Sequence, residues 1–311
     1  MPELPEVTTT VQGLQKVLPG LTITSVWTDL AKKNPIKQFK ETVKSESFFK
    51  KFRSGVEKQK VVSVERRAKN ILINLKNGQT ILIHLKMTGH IIYGKYVYDK
   101  KANKWSPSPQ ERQALHDPYN RFVHVVFSLS NGKHFVLCDS RKFGKVTMVP
   151  TDIIHESIHL KGIGPEPLEE DFTYKKFKDR LLSKSGSRNA IKTVLMEQSV
   201  IAGIGNIYSD EMLWLADIHP ESVAEKVPSK NLEKLYIAMQ DVLNKGIDFG
   251  GDSMSDYRDV NGERGKFQNH HNAYRKAKEK CGKRACKGVI IRKVINGRSG
   301  HYCGVHQKLF K

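Results

Sequence analysis

Six residues divide this chain into two parts with different folding patterns. Glycine and proline are dense enough in Gly162-Ile163-Gly164-Pro165-Glu166-Pro167 to mark a linker. Before it, residues 61–64, 71–75, 80–85, 122–129 and 134–137 read as strands, with Asn77-Gly78 and Asn131-Gly132 as hairpin turns. After it, residues 172–182, 189–196, 206–216 and 230–245 carry helical patterning. Short strands with turn signals must bury one face against a second sheet, so a sandwich or barrel is expected first and a helical domain second. Residues 95–120 interrupt the strands with lysines and prolines in no clear period, and read as a long surface loop.

One helix precedes the strands. Pro5 suits a first helical turn, where its missing N–H costs nothing, and Val7, Val11, Leu14 and Leu18 recur at helical spacing as one apolar stripe. That helix tethers the chain start. Proline is small enough to permit removal of the initiator methionine, which leaves Pro2 as a terminal secondary amine. Such an amine adds to a sugar aldehyde carbon to give an iminium, which carries its charge at every pH and withdraws electrons from neighbouring carbons. Glu3 lies one residue from that amine and outside the helix, in position for general acid or base work. Glu6 falls in the first turn, where the macrodipole favours an anion, so its simplest reading is dipole complement.

The partner is suggested by charge. Basic side chains number 53 against 32 acidic, a formal net charge of +21, which is the footprint of a polyanion-binding protein. No apolar run approaches a membrane span and the first residues lack a signal-peptide layout, so the chain reads as intracellular with no membrane partner. Its four cysteines do not suggest a disulfide framework. Cys138 ends an apolar run and reads as a core thiol. The other three gather near the end, where Cys281, Cys286, Cys303 and His306 have the spacing of a zinc ribbon, with Gly282, Gly288 and Gly304 easing the turns. Between the ligand pairs, residues 289–295 read as a strand and Asn296-Gly297 as a hairpin turn. Arg298 then sits at the tip, either entering a DNA groove or merely solvated. Gly203-Ile204-Gly205-Asn206 reads as a tight turn ending on a capping Asn, which either presents backbone amides to a phosphate or is an ordinary helix corner.

Six segments together resemble formamidopyrimidine-DNA glycosylase: the start Pro-Glu-Leu-Pro-Glu-Val, Arg66-Arg67-Ala68-Lys69, His84-Leu85-Lys86-Met87-Thr88-Gly89, Asp139-Ser140-Arg141-Lys142-Phe143-Gly144, Gly203-Ile204-Gly205-Asn206-Ile207-Tyr208, and Gly297-Arg298-Ser299-Gly300-His301-Tyr302-Cys303. They come in family order and span nearly the whole chain. The resemblance implies an α+β multidomain fold. An N-terminal catalytic β-sandwich with a leading helix would occupy residues 1–160, a helix-two-turn-helix DNA-binding domain 161–250, and a lesion-capping loop with a zinc ribbon 251–311.

It also implies a bifunctional DNA glycosylase and AP lyase of base-excision repair, a monomer in the cytoplasm and on the nucleoid. The substrate would be double-stranded DNA with oxidised purines or abasic sites. Pro2, Glu3, Lys69 and Arg298 match catalytic positions, Pro2 as nucleophile. Met87, Arg141 and Phe143 match an intercalating triad that fills the space of an everted nucleotide, though Met87 and Phe143 also suit core positions. Lys69, His84, Asn206 and Arg298 match phosphate contacts, and Glu6 joins the DNA-binding set. Asp252, Met254 and Tyr257 match the lesion loop, with a carbonyl at Asp252 reading the N7–H of 8-oxoguanine. One structural Zn2+ would be held by Cys281, Cys286, Cys303 and His306.

Some positions depart from the pattern. Thr8 stands for a usual glutamate, Lys86 for a small residue, Tyr274-Arg275 for a tyrosine-glycine pair, and His306 for a final cysteine; four residues rather than two separate the first cysteines. The nearer alternative is an endonuclease VIII-type glycosylase for oxidised pyrimidines, against which the Arg141-Lys142-Phe143 spacing argues. The farther one is a non-enzymatic zinc-ribbon DNA-binding protein, which has no use for Pro2-Glu3.

Overall fold

A computed structural model describes residues 1–183 and 190–311. The chain forms two compact units, one of residues 1–161 with 249–266, the other of residues 162–248 with 267–311. The division expected from sequence at residue 250 therefore runs differently. The segment after the last long helix leaves the ribbon and packs with the first unit.

The first unit opens with α1 (Leu4–Gln15), whose N-cap is Glu3 and which buries Leu4, Val7, Val11 and Leu14. Glu3 and Glu6 form a capping box. Glu3 thus lies just outside the helical residues, as expected, and caps their start. β1 (Ile23–Thr28) and α2 (Glu46–Val56) follow, neither anticipated; α2 starts where the Ser45 hydroxyl accepts from the Phe48 amide. Then come β2 (Val61–Arg67), β3 (Asn70–Leu75), β4 (Gln79–His84) and β5 (His90–Gly94). The expected loop at 95–120 instead contains a hairpin, β6 (Tyr96–Asp99) with β7 (Lys104–Pro107), and two 3-10 turns. β8 (Val123–Leu129), β9 (His134–Cys138) and β10 (Lys145–Pro150) complete the unit.

Two four-stranded antiparallel sheets result, ordered β1-β8-β9-β5 and β10-β4-β3-β2. This is the sandwich. Alternate residues of both sheets meet in one core with α1 and α2: Ile71 and Ile73, Ile81 and Ile83, Val125 and Phe127, Phe135 and Leu137. Phe127 and Phe135 stack at 4.2 Å, and each fully buried ring contributes roughly 1.5–3 kcal/mol. Val126, Val136 and Cys138 point to the other face, where Leu115, Tyr96 and Trp105 of the 95–121 insertion cover them. That cover explains why β9 is apolar on both faces, and why it was easier to read as a strand than to orient.

The second unit holds α3 (Tyr174–Ser183), α4 (Ile191–Met196), α5 (Asn206–Leu215) and α6 (Ser229–Asp248), then the hairpin β11 (Ile290–Ile295) and β12 (Arg298–Cys303). The helix expected from residue 189 begins at Ile191, and Asn189 lies outside the described residues. In α6 the stripe Leu232, Leu235, Met239, Val242, Gly246 faces inward. Nearly all of α5 is buried, including Ser209, Asp210 and Glu211. Among the described residues no helix is long and apolar enough to cross a membrane.

Candidate functional site

In the first unit the site begins with a carboxylate. Glu6 is 1% exposed; one of its oxygens accepts from the Glu3 amide at 2.7 Å, the other from the Asp252 amide at 2.7 Å. The Tyr257 hydroxyl donates to the Glu6 carbonyl at 3.0 Å. Glu6 was expected in the DNA-binding set, but its carboxylate is enclosed and joins the chain start to the 250–257 segment instead. Gly251 makes the junction possible, since it has φ of +86° and a Cβ there would meet Glu6 Cγ at 2.9 Å. Asp252 and Tyr257 are buried and Met254 is exposed, so the three lesion-loop candidates do not share one environment. The rest of the segment is anchored by Arg258, which reaches both oxygens of Asp117 at 3.0–3.2 Å and the carbonyls of Ser255 and Tyr257.

A second buried carboxylate organises the exposed residues. Asp139 accepts from the Thr88 hydroxyl, from the Arg141 amide at 3.3 Å and from the Gly144 amide at 2.6 Å. It ties the Met87 turn to the Arg141–Phe143 turn, both of which carry positive φ, at Lys86 and Lys142. Lys44 donates to the Lys142 carbonyl at 2.7 Å, and burial holds its pKa down to about 8 despite the opposing Asp139 charge. Met87 and Phe143 are 39% and 44% exposed, with the Arg141 guanidinium 4.7 Å above the Phe143 ring. Neither apolar side chain is a core filler. The Ser140 hydroxyl donates to Asp256 at 3.3 Å, linking this loop to the 250–257 segment.

Lys69 and His84 are the buried and half-buried basic candidates of this unit. Lys69 is 5% exposed, beside a turn in which Ala68 takes φ of +52° and its carbonyl accepts from Arg66 at 3.1 Å. His84 accepts the Lys86 amide at Nδ1, 3.0 Å. Burial first, then the ammoniums of Lys86, Lys69 and Lys145, hold its pKa down to about 3. The imidazole is therefore neutral with its proton on Nε2, a donor suited to an anionic oxygen.

The second unit has its own constellation. The Gln198 side chain donates to the carbonyls of Met196 and Ile204 and accepts from the Gly203 amide, shaping the turn before α5. Gly205, not Asn206, is the N-cap; Asn206 is the first helical residue, and its side-chain amide donates to Ser299 at 3.3 Å. Asn296 and Gly297 take φ of +45° and +76°, a two-residue turn that sets Arg298 opposite Ile295. Asn206 and Arg298 are thus neighbours across the Ser299 contact. Beneath them Lys192 donates to Asp210 at 2.5 Å and to the Asn206 carbonyl at 3.3 Å, while the other Asp210 oxygen accepts from the His301 amide and ring.

Cys281, Cys286, Cys303 and His306 bring their ligand atoms within 4.8 Å of one another, a set that can hold one metal ion. The chain enters the ribbon through Glu211, whose carboxylate accepts from the amides of Asn272, Ala273 and Tyr274 at 2.7–2.9 Å. Gly288 lies against the cluster: a Cβ there would meet Cys303 Sγ at 2.6 Å.

Two family models cover most of the chain, the formamidopyrimidine-DNA glycosylase N-terminal domain over residues 1–146 and the H2TH domain of the same enzyme over residues 163–258. A formamidopyrimidine-DNA glycosylase of Pelotomaculum thermopropionicum is 38% identical over 99% of this chain and 100% of its own length; that of Desulforamulus reducens is 35% identical over 99% of each. The chain belongs to the formamidopyrimidine-DNA glycosylase family. Solved relatives agree in fold. Lactococcus lactis Fpg bound to abasic-site DNA matches with a TM-score of 0.78 at 29% identity over 97% of both chains. A mutant of that protein in complex with Fapy-dG-containing DNA matches with a TM-score of 0.79 over 97% and 98%.

Within this glycosylase family member, sequence reasoning overlooked the residues that hold the others. Asp139 lies inside a quoted motif and Asp210 follows one, so both were in view without a role. Their positions carried a signal in retrospect, an acid amid or just after the motif residues it orients. Glu211 and the Asp117–Arg258 pair carried none, since their partners are distant in sequence.

Proposed function

We propose that the protein is a bifunctional DNA glycosylase and AP lyase of base-excision repair, acting on double-stranded DNA with 8-oxoguanine, formamidopyrimidines or abasic sites. DNA glycosylase action accompanies family membership; the lyase step, the lesion choice and the residue roles extend it. The observation that carries the reading is the Glu6 junction, in which one enclosed carboxylate holds both the chain start and the 250–257 segment in a common frame.

Met1 is 43% exposed and open to removal. The freed Pro2 nitrogen then attacks C1′, and the base leaves with the C1′–base electron pair and takes up a proton. Glu3 protonates the ring oxygen as the C1′–O4′ bond opens to the iminium. A weak base removes the acidified C2′ proton and the C3′–O bond breaks, expelling the 3′ phosphate; a second elimination releases the 5′ phosphate and leaves a one-nucleotide gap. Extruding the damaged nucleotide costs a few kcal/mol, roughly, and Met87, Arg141 and Phe143 fill the space it leaves. Lys69, His84, Asn206 and Arg298 contact phosphates. The Asp252 carbonyl and the amides of residues 254–257 read the lesion.

Zinc suits the four-residue cluster. Bonds of about 2.3 Å to a tetrahedral centre put two sulfurs about 3.8 Å apart, and the sulfurs of Cys286 and Cys303 stand 3.6 Å apart. His306 Nε2 lies 3.1 Å from the Trp214 carbonyl, which leaves Nδ1, 3.3 Å from Cys281 Sγ, for the metal. With four protein ligands the role is structural. The protein works as a monomer in the cytoplasm, on nucleoid DNA.

Borohydride trapping on an 8-oxoguanine duplex tests the reading. The expected result is a covalent DNA adduct whose peptide maps to Pro2, lost when methionine removal is blocked. Trapping at full yield in the blocked protein would overturn the nucleophile, and faster cutting of thymine glycol than of 8-oxoguanine would overturn the lesion choice.

A further inference from the structure

The insertion at 95–121 builds a cleft that the proposed excision chemistry does not use. It measures about 770 Å³, within the usual range for small-ligand sites, and lies wholly in the first unit. Aromatic rings form its wall. Trp27 of β1 and Trp105 of β7 both line it, their rings 6.4 Å apart edge to face, and Tyr98 backs them at 6.0 and 5.2 Å. The hairpin β6–β7 therefore holds a second indole beside the first.

The charges of the cleft sort by availability. Asp29 accepts from His124 Nδ1 at 2.9 Å, Asp99 from the amides of Lys101 and Ala102, and Asp117 from Arg258. All three acids are occupied within the protein. Lys104 and Arg121 are exposed and have no carboxylate partner among the described residues. The cleft therefore offers cations. Two of its lining residues also carry ring nitrogens, His124 Nε2 and Trp105 Nε1, that are buried without a hydrogen-bond partner. Such orphaned groups are unfavourable until a partner with a polar edge reaches them. His124 is held by both Asp29 oxygens, so its ring cannot turn to find another partner.

An aromatic face for the indoles, a polar edge for the ring nitrogens and an anion for Lys104 and Arg121 describe one class of ligand. We infer that the cleft walled by Trp27, Trp105 and His124 binds a single nucleotide, its base against the indoles and its phosphate at Lys104 and Arg121. Ser140 and Lys142 line the same cleft and flank Arg141 of the proposed intercalating loop. The source is accordingly an unpaired nucleotide of the bound DNA, and that choice of source, unlike the site itself, rests on the glycosylase reading. None of the residues that line it belongs to the 250–257 segment proposed to read the lesion, so the site is distinct from that lesion-reading segment.

Photocrosslinking tests this in the wild-type protein. A lesion-free single-stranded oligonucleotide carrying 5-iodouracil is irradiated with the full chain and the adduct is mapped. An adduct on Trp27 or Trp105 is expected. Trp105→Ala should weaken binding of the same oligonucleotide at least about fivefold, the loss of one stacked base, and the Lys104→Ala/Arg121→Ala double variant should flatten its salt dependence by about one unit. Loss of the adduct in excess deoxyadenosine monophosphate assigns the site to a free nucleotide, and its persistence assigns it to a strand. Adducts mapping only elsewhere, with Trp105→Ala binding as wild type, would overturn the site. Excision of 8-oxoguanine by Trp105→Ala is measured alongside; absence of excision in the wild type refutes the glycosylase reading and leaves the crosslink result standing.

Discussion

The two units solve one problem, holding short polar loops in fixed shapes, with different resources. In the first, Glu6 and Asp139 fix the loops, and both hang on a sandwich whose core runs through two sheets and two helices. In the second, Asp210 and Glu211 do the same work, but the ribbon they hold has little apolar support: Trp214, Ala273 and Ile290 pack with Cys281 and Cys303. Two members of that small cluster are themselves candidate metal ligands. The comparison teaches that an enclosed carboxylate can orient a loop wherever something else holds its surroundings together. Buried apolar area does so in the sandwich, and the proposed metal, held by Cys281, Cys286, Cys303 and His306, would do so in the ribbon.

The largest expected effect follows from that contrast. Chelation, or Cys303→Ser, should release the metal, whose binding to a ribbon is worth on the order of 10 kcal/mol. Duplex DNA affinity should fall by about a hundredfold or more as Arg298 loses its support, while near-ultraviolet signals of the sandwich persist. Full-affinity binding by metal-free protein would erase the distinction between the units. Next comes Asp139→Ala, which leaves two backbone amides and a hydroxyl without their acceptor. An unfolding free energy lower by about 3 kcal/mol is expected in denaturant titrations, with excision slowed because the Met87 and Arg141 turns come apart. An unchanged midpoint would mean that the sandwich fixes these loops without the carboxylate.

A smaller effect concerns pH. The folded pKa of His84 is depressed below its unfolded value, so its contribution to stability is complete above about 6.5 and is lost as pH falls through about 3. NMR titration should find the ring neutral down to about pH 5, and a midpoint near 6.5 would contradict the burial and cationic surroundings described above. The smallest change sharpens the comparison directly. Lys69→Ala in one unit and Arg298→Ala in the other should each flatten the salt dependence of DNA binding by about one unit. A slope altered by only one of them would confine phosphate contact to that unit.

Much of the fold could be read in advance because its signals are local. Alternating runs with Asn-Gly turns marked β3, β4, β8 and β9, and cysteine spacing marked the ribbon. β1 and α2 escaped, since Ile23–Thr28 mixes polar and apolar residues on both faces and α2 buries only Phe52 and Val56. The 95–120 segment was misread for a related reason: its hairpin is stabilised by Trp27 and the outer face of a sheet, partners that no local period reveals. Glu3 and Glu6 show the same limit at the site. Their place at a helix start was legible, but not that one would cap it and the other hold residue 252.

By itself, the sequence determined the two folding patterns, the basic character of the chain, the candidate metal-ligand set and the residues presented on tight turns. Each of these depends on neighbours within a few positions, or on composition alone. Only the tertiary structure decided which carboxylates orient those turns, that residues 249–266 belong with the sandwich, and that the insertion forms a cleft. These rest on contacts between groups up to 251 positions apart, as between Glu6 and Tyr257, and burial makes such contacts strong only after the chain has brought the partners together.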